Sequence, residues 1–185
     1  MLEIESLVHT NMQVYDDVKD ILYTKEQIEQ RGAELASQID NDYKGKIPMF
    51  VGILKGCVPF MTLLYNNTKI YSTIEYVRAS SYKGGTSTTG NVELDDENID
   101  VSNRDVIIVE DIIDTGLTLE AVTKILMDKG AKSVAICTLL DKPAHRKANI
   151  NVKYVGFSVE DQFLIGFGLD YNELYRNLPF ICTID

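Results

Sequence analysis

The sequence predicts an α/β fold, a central, mostly parallel and twisted sheet flanked by helices. Three observations carry this expectation. Ile47–Leu54, Val106–Val109 and Ser133–Leu140 are continuous apolar runs, the pattern of strands buried on both faces. Amphipathic helical stretches stand between them. Strand, helix and strand in succession imply a right-handed parallel βαβ unit.

Local signals justify the elements in order. Met1 to about Tyr23 is mixed and acidic, with Val14, Val18, Ile21 and Leu22 as apolar contacts for a docked segment. Thr24-Lys-Glu-Gln27 is a capping-box pattern. The helix after it puts Ile28, Leu35 and Ile39 on one face and ends near Asp40–Gly45. The strand Ile47–Leu54 leads through Lys55-Gly56 into a helix, Val58–Tyr65. Ile70–Ala79 alternates well enough for a half-buried strand. Residues 80–90 are small, polar and glycine-rich, which makes them a loop. The acidic run Glu93–Asp100 reads as a solvated connection before the central strand. The helix Leu117–Lys129 carries Leu119, Val122, Ile125 and Leu126 toward the sheet, and Gly130 ends it. Ser133–Leu140 and Tyr154–Val159 are the next strands, and Phe180–Ile184 is a short final one.

Composition narrows the function. The chain has 185 residues, 45% of them hydrophobic, enough for one compact domain with a sizeable core. A net charge of −10 argues against general nucleic-acid or anionic-membrane binding. No apolar stretch reaches the roughly 18 residues that a membrane span needs. Cys57, Cys137 and Cys182 have neither metal nor redox spacing and read as reduced thiols of a cytosolic protein. His9 and His145 are too isolated to suggest zinc.

Chemistry concentrates in Val106–Leu119, V-I-I-V-E-D-I-I-D-T-G-L-T-L. The strand delivers Glu110 and Asp111 at its carboxyl end, where open α/β sheets place ligands. Asp114-Thr115-Gly116-Leu117-Thr118 then opens a helix, whose N–H groups, hydroxyls and dipole can hold a phosphate. Acceptors for sugar hydroxyls beside a phosphate cradle are what a ribose 5-phosphate needs. The plain alternative is an acidic strand end before an ordinary N-capped helix, and a lone E-D or T-G-x-T would favour it. The whole ordered string does not. Leu54-Lys55-Gly56 is a plausible anion loop, weak alone because K-G is an ordinary turn. Lys142 ends a strand on the same sheet edge, where a surface lysine is the bland reading. Asp161–Glu173 mixes aromatics, glycines and acids, and its plain reading is a bulged hairpin with Phe163 and Phe167 in the core.

Val106–Leu119 resembles the phosphoribosyl-diphosphate (PRPP) signature of the type I phosphoribosyltransferases. Its E-D-I-I-D-T-G resembles the hypoxanthine-guanine branch in particular. The likeness runs from about Thr24 to Asp185 and takes in five motifs in family order. It implies the type I phosphoribosyltransferase fold as one domain over residues 1–185. The core would span about 24–150, with a small hood from the N-terminal segment and about 151–185, and a flexible lid loop at about 80–91. It implies purine salvage: transfer of the 5-phosphoribosyl group from PRPP to hypoxanthine and guanine, with xanthine left open, yielding IMP and GMP and releasing pyrophosphate. Mg2+ as cofactor, a cytoplasmic setting, a homodimer or homotetramer, and no nucleic-acid or membrane partner complete the expectation.

The resemblance also carries over residue roles. Asp114 matches the base that takes the purine proton. Glu110 and Asp111 match the pair on the ribose diol, and Thr115, Gly116, Leu117 and Thr118 the turn on the 5′-phosphate. Leu54, Lys55 and Gly56 match the pyrophosphate loop, with a non-proline cis peptide at Leu54–Lys55, and Arg176 matches an arginine on pyrophosphate. Lys142 matches the donor to the purine 6-oxygen, Phe163 the stacking aromatic, and Leu164 the residue whose backbone reads the base edge. Asp170 matches a carboxylate at the purine and pyrophosphate side that binds magnesium, with Glu110 and Asp111 as further metal residues. Ser81 and Tyr82 match the Ser-Tyr of the lid. Arg146 aligns with a basic residue near the phosphates. Leu117 is a departure, because many relatives carry Lys there.

Three other readings compete. A phosphoribosyltransferase for uracil or another base would share the signature, but Lys142, Phe163 and L-D-Y-N-E speak against it. A PRPP-sensing regulator on this fold would need a basic face, which the net charge disfavours. A dinucleotide-binding protein would need G-x-G-x-x-G after a strand, and none is present.

Overall fold

The computed structural model describes residues 13–81, 92–95 and 99–184. The elements follow in the order β1 (Val18–Tyr23), α1 (Lys25–Asp42), β2 (Met49–Ile53), α2 (Val58–Asn67), β3 (Thr73–Ser81), β4 (Val92–Asp95), β5 (Asp105–Ile113), α3 (Leu117–Asp128), β6 (Ser133–Asp141), β7 (Tyr154–Ser158) and β8 (Ile181–Ile184). A 3-10 turn, Pro143–His145, follows β6. Six strands form the main sheet in the order β4-β3-β2-β5-β6-β7, and β1 pairs with β8 in a sheet of two. β2, β3, β5, β6 and β7 run parallel, while β4 is antiparallel to β3.

The central strand is buried on both sides because its side chains alternate between two cores. Ile107 and Val109 join α1 and α2 through Ile28, Leu35, Phe60 and Leu64. Val106 and Ile108 join α3 through Leu119, Val122 and Leu126. A layer of helices on each face follows. The capping box on α1 is complete: Gln27 N–H donates to Thr24 Oγ1, and Thr24 N–H donates to the Gln27 side chain. Arg31 on α1 donates to the carbonyls of Val155 and Gly156, tying α1 to β7.

Two expectations need correction. The acidic stretch after residue 92 is not only a connection: Val92–Asp95 pairs with Arg78–Ser81 as an edge strand. Charge along such a strand protects a sheet edge from further pairing, so acidity there is compatible with a strand. The stretch from about 151 was expected in the hood, but β7 pairs in parallel with β6 at the edge of the main sheet. Tyr154 is buried in the core shared with α1, which draws β7 to that sheet. Ser81 ends β3 opposite Val92, and Tyr82 lies outside the described residues. A third cluster, Ile165, Tyr175, Leu178 and Cys182, packs with Val14, Val18 and Ile184 around the β1–β8 pair.

Candidate active site

The carboxyl ends of β2, β5 and β6 lie side by side, because these strands are parallel neighbours. That geometry brings Lys55-Gly56, Glu110–Thr118 and Lys142 to one edge of the sheet, the edge where open α/β sheets bind ligands. A cavity of about 160 Å³ there is lined by Glu110, Asp114, Thr115, Gly116 and Thr118, among others.

The turn Asp114–Thr118 is held from behind. Gly116 caps α3 with φ +78°, the left-handed region that glycine adopts without a Cβ penalty. A Cβ there would stand 2.9 Å from Arg146 Cδ and from Ile150 Cδ1. Thr115 carbonyl accepts from the N–H groups of Lys147 and Ala148. Among the described residues no side chain caps α3 at Gly116, which leaves its first-turn N–H groups as donors for an anion. Leu117, the first residue of α3, is 50% exposed.

Glu110 and Asp111 sit deeper. Asp111 is buried and accepts the Ile112 N–H at 3.0 Å. Glu110 Oε2 is buried and has no hydrogen-bond partner among the described residues. Burial, reinforced by the Asp111 charge, pushes the Glu110 carboxyl well above the usual carboxylate range. Burial also raises Asp111, against the pull of the Ile112 N–H and of Arg176. Burial and these two carboxylates push the neighbouring Cys57 thiol up to about 12, which keeps it unreactive.

Further residues singled out in the sequence meet on the Lys55 loop. Leu54–Lys55 is a non-proline cis peptide. Lys55 Nζ pairs with Glu173 at 2.7 Å. Gly56 is required by packing, since a Cβ would overlap Asp111 Oδ2, and a Cβ on Gly168 would overlap the Gly56 carbonyl oxygen. Arg176 donates to the Gly168 carbonyl and pairs with Asp170 at 2.7 Å.

On the other side, Lys142 Nζ donates to the Gln162 carbonyl at 2.7 Å and lies 3.8 Å from Asp161. Phe163 is 57% exposed rather than in the core, with its ring edge-on to Tyr171. Leu164 is buried. The bulged-hairpin alternative placed Phe163 inside, but in this turn-rich segment only isolated bridges form and the ring projects outward.

Sequence reasoning missed one residue. His145 looked isolated, yet its Nδ1 lies 2.9 Å from Asp114 Oδ1 and its Nε2 2.8 Å from Asp161 Oδ2. The only signal was its place three residues after Lys142 in a proline-led turn. Arg146 pairs with Asp141 and reaches the Asp114 carbonyl at 3.4 Å, behind the turn that opens α3.

Among the described residues, no three His, Cys, Asp or Glu side chains group so as to hold a metal alone. Glu110, Asp111 and Asp170 are therefore not a self-sufficient cage. Asp170 is engaged by Arg176 and by the Glu173 N–H, whereas Glu110 Oε2 is unpartnered. Such a donor set fits Mg2+ that arrives on phosphate oxygens and takes one or two protein carboxylates. No helix among the described residues is long and apolar enough to cross a membrane.

Residues 18–172 match the phosphoribosyl transferase domain family, which defines the class of protein. The hypoxanthine-guanine phosphoribosyltransferase of Staphylococcus aureus strain Mu50 is 45% identical over 172 residues, covering 92% of this chain and 96% of that protein. The crystal structure of a hypoxanthine phosphoribosyltransferase from S. aureus superposes with a TM-score of 0.87 at 43% identity, covering 99% of this chain and 97% of that one. A hypoxanthine-guanine phosphoribosyltransferase from Bacillus anthracis, with HEPES in its active site, gives 0.86 at 41% identity, covering 91% of this chain and 99% of that one. The chain belongs to the phosphoribosyltransferase family, in its hypoxanthine-guanine branch.

Proposed function

We propose that the protein transfers the 5-phosphoribosyl group of PRPP to hypoxanthine and guanine, a purine salvage reaction that forms IMP and GMP and releases pyrophosphate. The observation that carries this reading is the glycine-led start of α3, with Gly116 five residues beyond Asp111 at the end of the Glu110–Asp111 pair. One sheet edge thus offers donors to the 5′-phosphate and acceptors to the ribose diol.

In the reaction the bond from ribose C1 to the pyrophosphate oxygen breaks, a bond from C1 to purine N9 forms, and the purine loses a proton. Asp114–Thr118 anchor the 5′-phosphate, so that remote binding positions C1. Glu110 and Asp111 take the 2′- and 3′-hydroxyls, which fixes the ribose ring so that C1 faces the purine. Asp114 accepts the proton at N7. Lys142 has only donors, so it suits a 6-oxo group and disfavours the 6-amino group of adenine. Phe163 offers an exposed ring for stacking, and the Leu164 backbone lies next to it. Leu54, Lys55, Gly56 and Arg176 receive the pyrophosphate. Asp170, with Glu110 and Asp111, would hold Mg2+ carried on the substrate's phosphate oxygens, and the ion would supply positive charge to the leaving pyrophosphate.

The three cysteines are unpaired and buried, which favours a reducing cytoplasmic setting. The family likeness favours a homodimer or homotetramer. The test is a base panel with PRPP and Mg2+. We expect turnover with hypoxanthine and guanine and none with adenine or uracil. Equal use of adenine would overturn the Lys142 assignment. PRPP binding without turnover of any base would favour a PRPP-sensing regulator instead.

A further inference from the structure

We propose that His145 is a positioning residue that holds Asp114 in register with the purine by bridging it to Asp161, at the start of the base-binding loop. The proposal rests on the reading of Asp114 as proton acceptor.

The turn after β6 sets up the bridge. Lys142 and His145 are three residues apart, with the His145 N–H donating to the Lys142 carbonyl. In a 3-10 turn, residues at that spacing lie one above the other. Both side chains therefore reach the same carboxylate, Lys142 at 3.8 Å from Oδ1 and His145 at 2.8 Å from Oδ2 of Asp161. The other nitrogen of His145 meets Asp114 Oδ1 at 2.9 Å. Gln162, next to Asp161, accepts from Lys142, and Phe163 follows directly. The proton acceptor, the donor to the 6-oxygen and the stacking ring thus share one connection.

Chemistry gives the bridge a direction. Ionised carboxylates only accept, so the ring makes both bonds at once when both its nitrogens donate. Holding Oδ1 leaves Oδ2 of Asp114 as the atom presented to the substrate. Arg146 cannot replace this contact. Its guanidinium is committed to Asp141, and it reaches only the main-chain carbonyl of Asp114. Arg146 therefore steadies the backbone of the turn, while His145 aims the side chain. The three groups are substantially exposed, so the pairs add little to stability. Their value lies in orientation, where small displacements of a reacting group are costly.

The experiment is a mutant cycle with PRPP, Mg2+ and hypoxanthine, read as kcat and KM, after parent turnover has been established. We expect His145→Ala and Asp161→Ala each to lower kcat about tenfold, the scale of one lost charge-assisted contact, with the KM for PRPP unchanged. The double variant should be no worse than the poorer single, because both remove one bridge. In an Asp114→Asn background, His145→Ala should cost nothing further. Parent-like kcat in His145→Ala, or an undiminished effect of His145→Ala in the Asp114→Asn background, would overturn the proposal while leaving the enzyme's function intact. Parent-like turnover by Asp114→Asn would overturn the base assignment and the bridge together. Thermal unfolding of each variant separates misfolding from misalignment.

Discussion

Gly56→Ala tests how tightly the Lys55-Gly56 loop is built against Asp111, the proposed pyrophosphate and ribose sides of the site. A Cβ on Gly56 would overlap Asp111 Oδ2 and stand 2.5 Å from Asp111 Cγ. Non-bonded carbons rest at about 3.5 Å or more, so one partner must move by about 1 Å. Asp111 has little freedom to do so, since it is buried and its Oδ1 holds the Ile112 N–H at 3.0 Å. Gly56 is blocked in turn, because Gly168 packs against its carbonyl. An offset of that size in a substrate-holding group costs about 10²-fold in rate. Overpacking costs about 1–3 kcal/mol of stability, or a few degrees in unfolding midpoint for each kcal/mol at this chain length. The assay is kcat/KM for PRPP at saturating hypoxanthine, with a thermal melt on the same samples. We expect about a hundredfold loss in kcat/KM in a protein that still unfolds cooperatively. Activity within about threefold of the parent would refute the claim that this contact sets the carboxylate.

Three further outcomes follow from the site. Lys142→Ala should lower kcat/KM for hypoxanthine by about 10- to 100-fold, the worth of a hydrogen bond from a charged group, with PRPP binding kept. An unchanged value would remove Lys142 from base recognition. Leu117→Lys, at an exposed first-turn position of α3, should lower the KM for PRPP about fivefold, as about 1 kcal/mol of added attraction gives. A raised KM would mean that the turn already fills its phosphate sites. The Glu110 carboxyl is raised in the folded state, so the native protein keeps a proton that the unfolded chain has released. Its contribution to stability is complete below the ordinary carboxylate range and is lost as pH rises through the raised folded value. Between about pH 5 and pH 8, the unfolding midpoint of the ligand-free parent should therefore fall more steeply than that of Glu110→Gln. Parallel profiles would argue against a raised Glu110.

Much of this protein is local in origin and was therefore legible in the sequence. Apolar runs mark β2, β5 and β6, because strands covered on both faces have no polar side to alternate with. The capping box at Thr24 and the glycine at 116 mark helix starts, since their signals lie within one turn. Glu110, Asp111 and Asp114–Thr118 lie in one unbroken stretch, so their adjacency is nearly covalent. Contacts across long sequence distance were not legible. β4 hid inside an acidic run because pairing with β3, not propensity, makes it a strand. β7 joined the main sheet because α1 buries Tyr154 and holds its carbonyls through Arg31.

The sequence by itself determined which groups can bind a phosphate, a sugar diol and a base, since those abilities belong to side chains and short turns. Only the tertiary structure decided how these groups confront one another. Parallel pairing of β2, β5 and β6 set three strand ends in line. Packing then pressed Asp111 onto Gly56 and Gly168 onto the same loop, and the turn after β6 swung His145 between Asp114 and Asp161. Each of those contacts joins residues far apart in the chain, and their distances exist only once the sheet is formed and both its faces are covered.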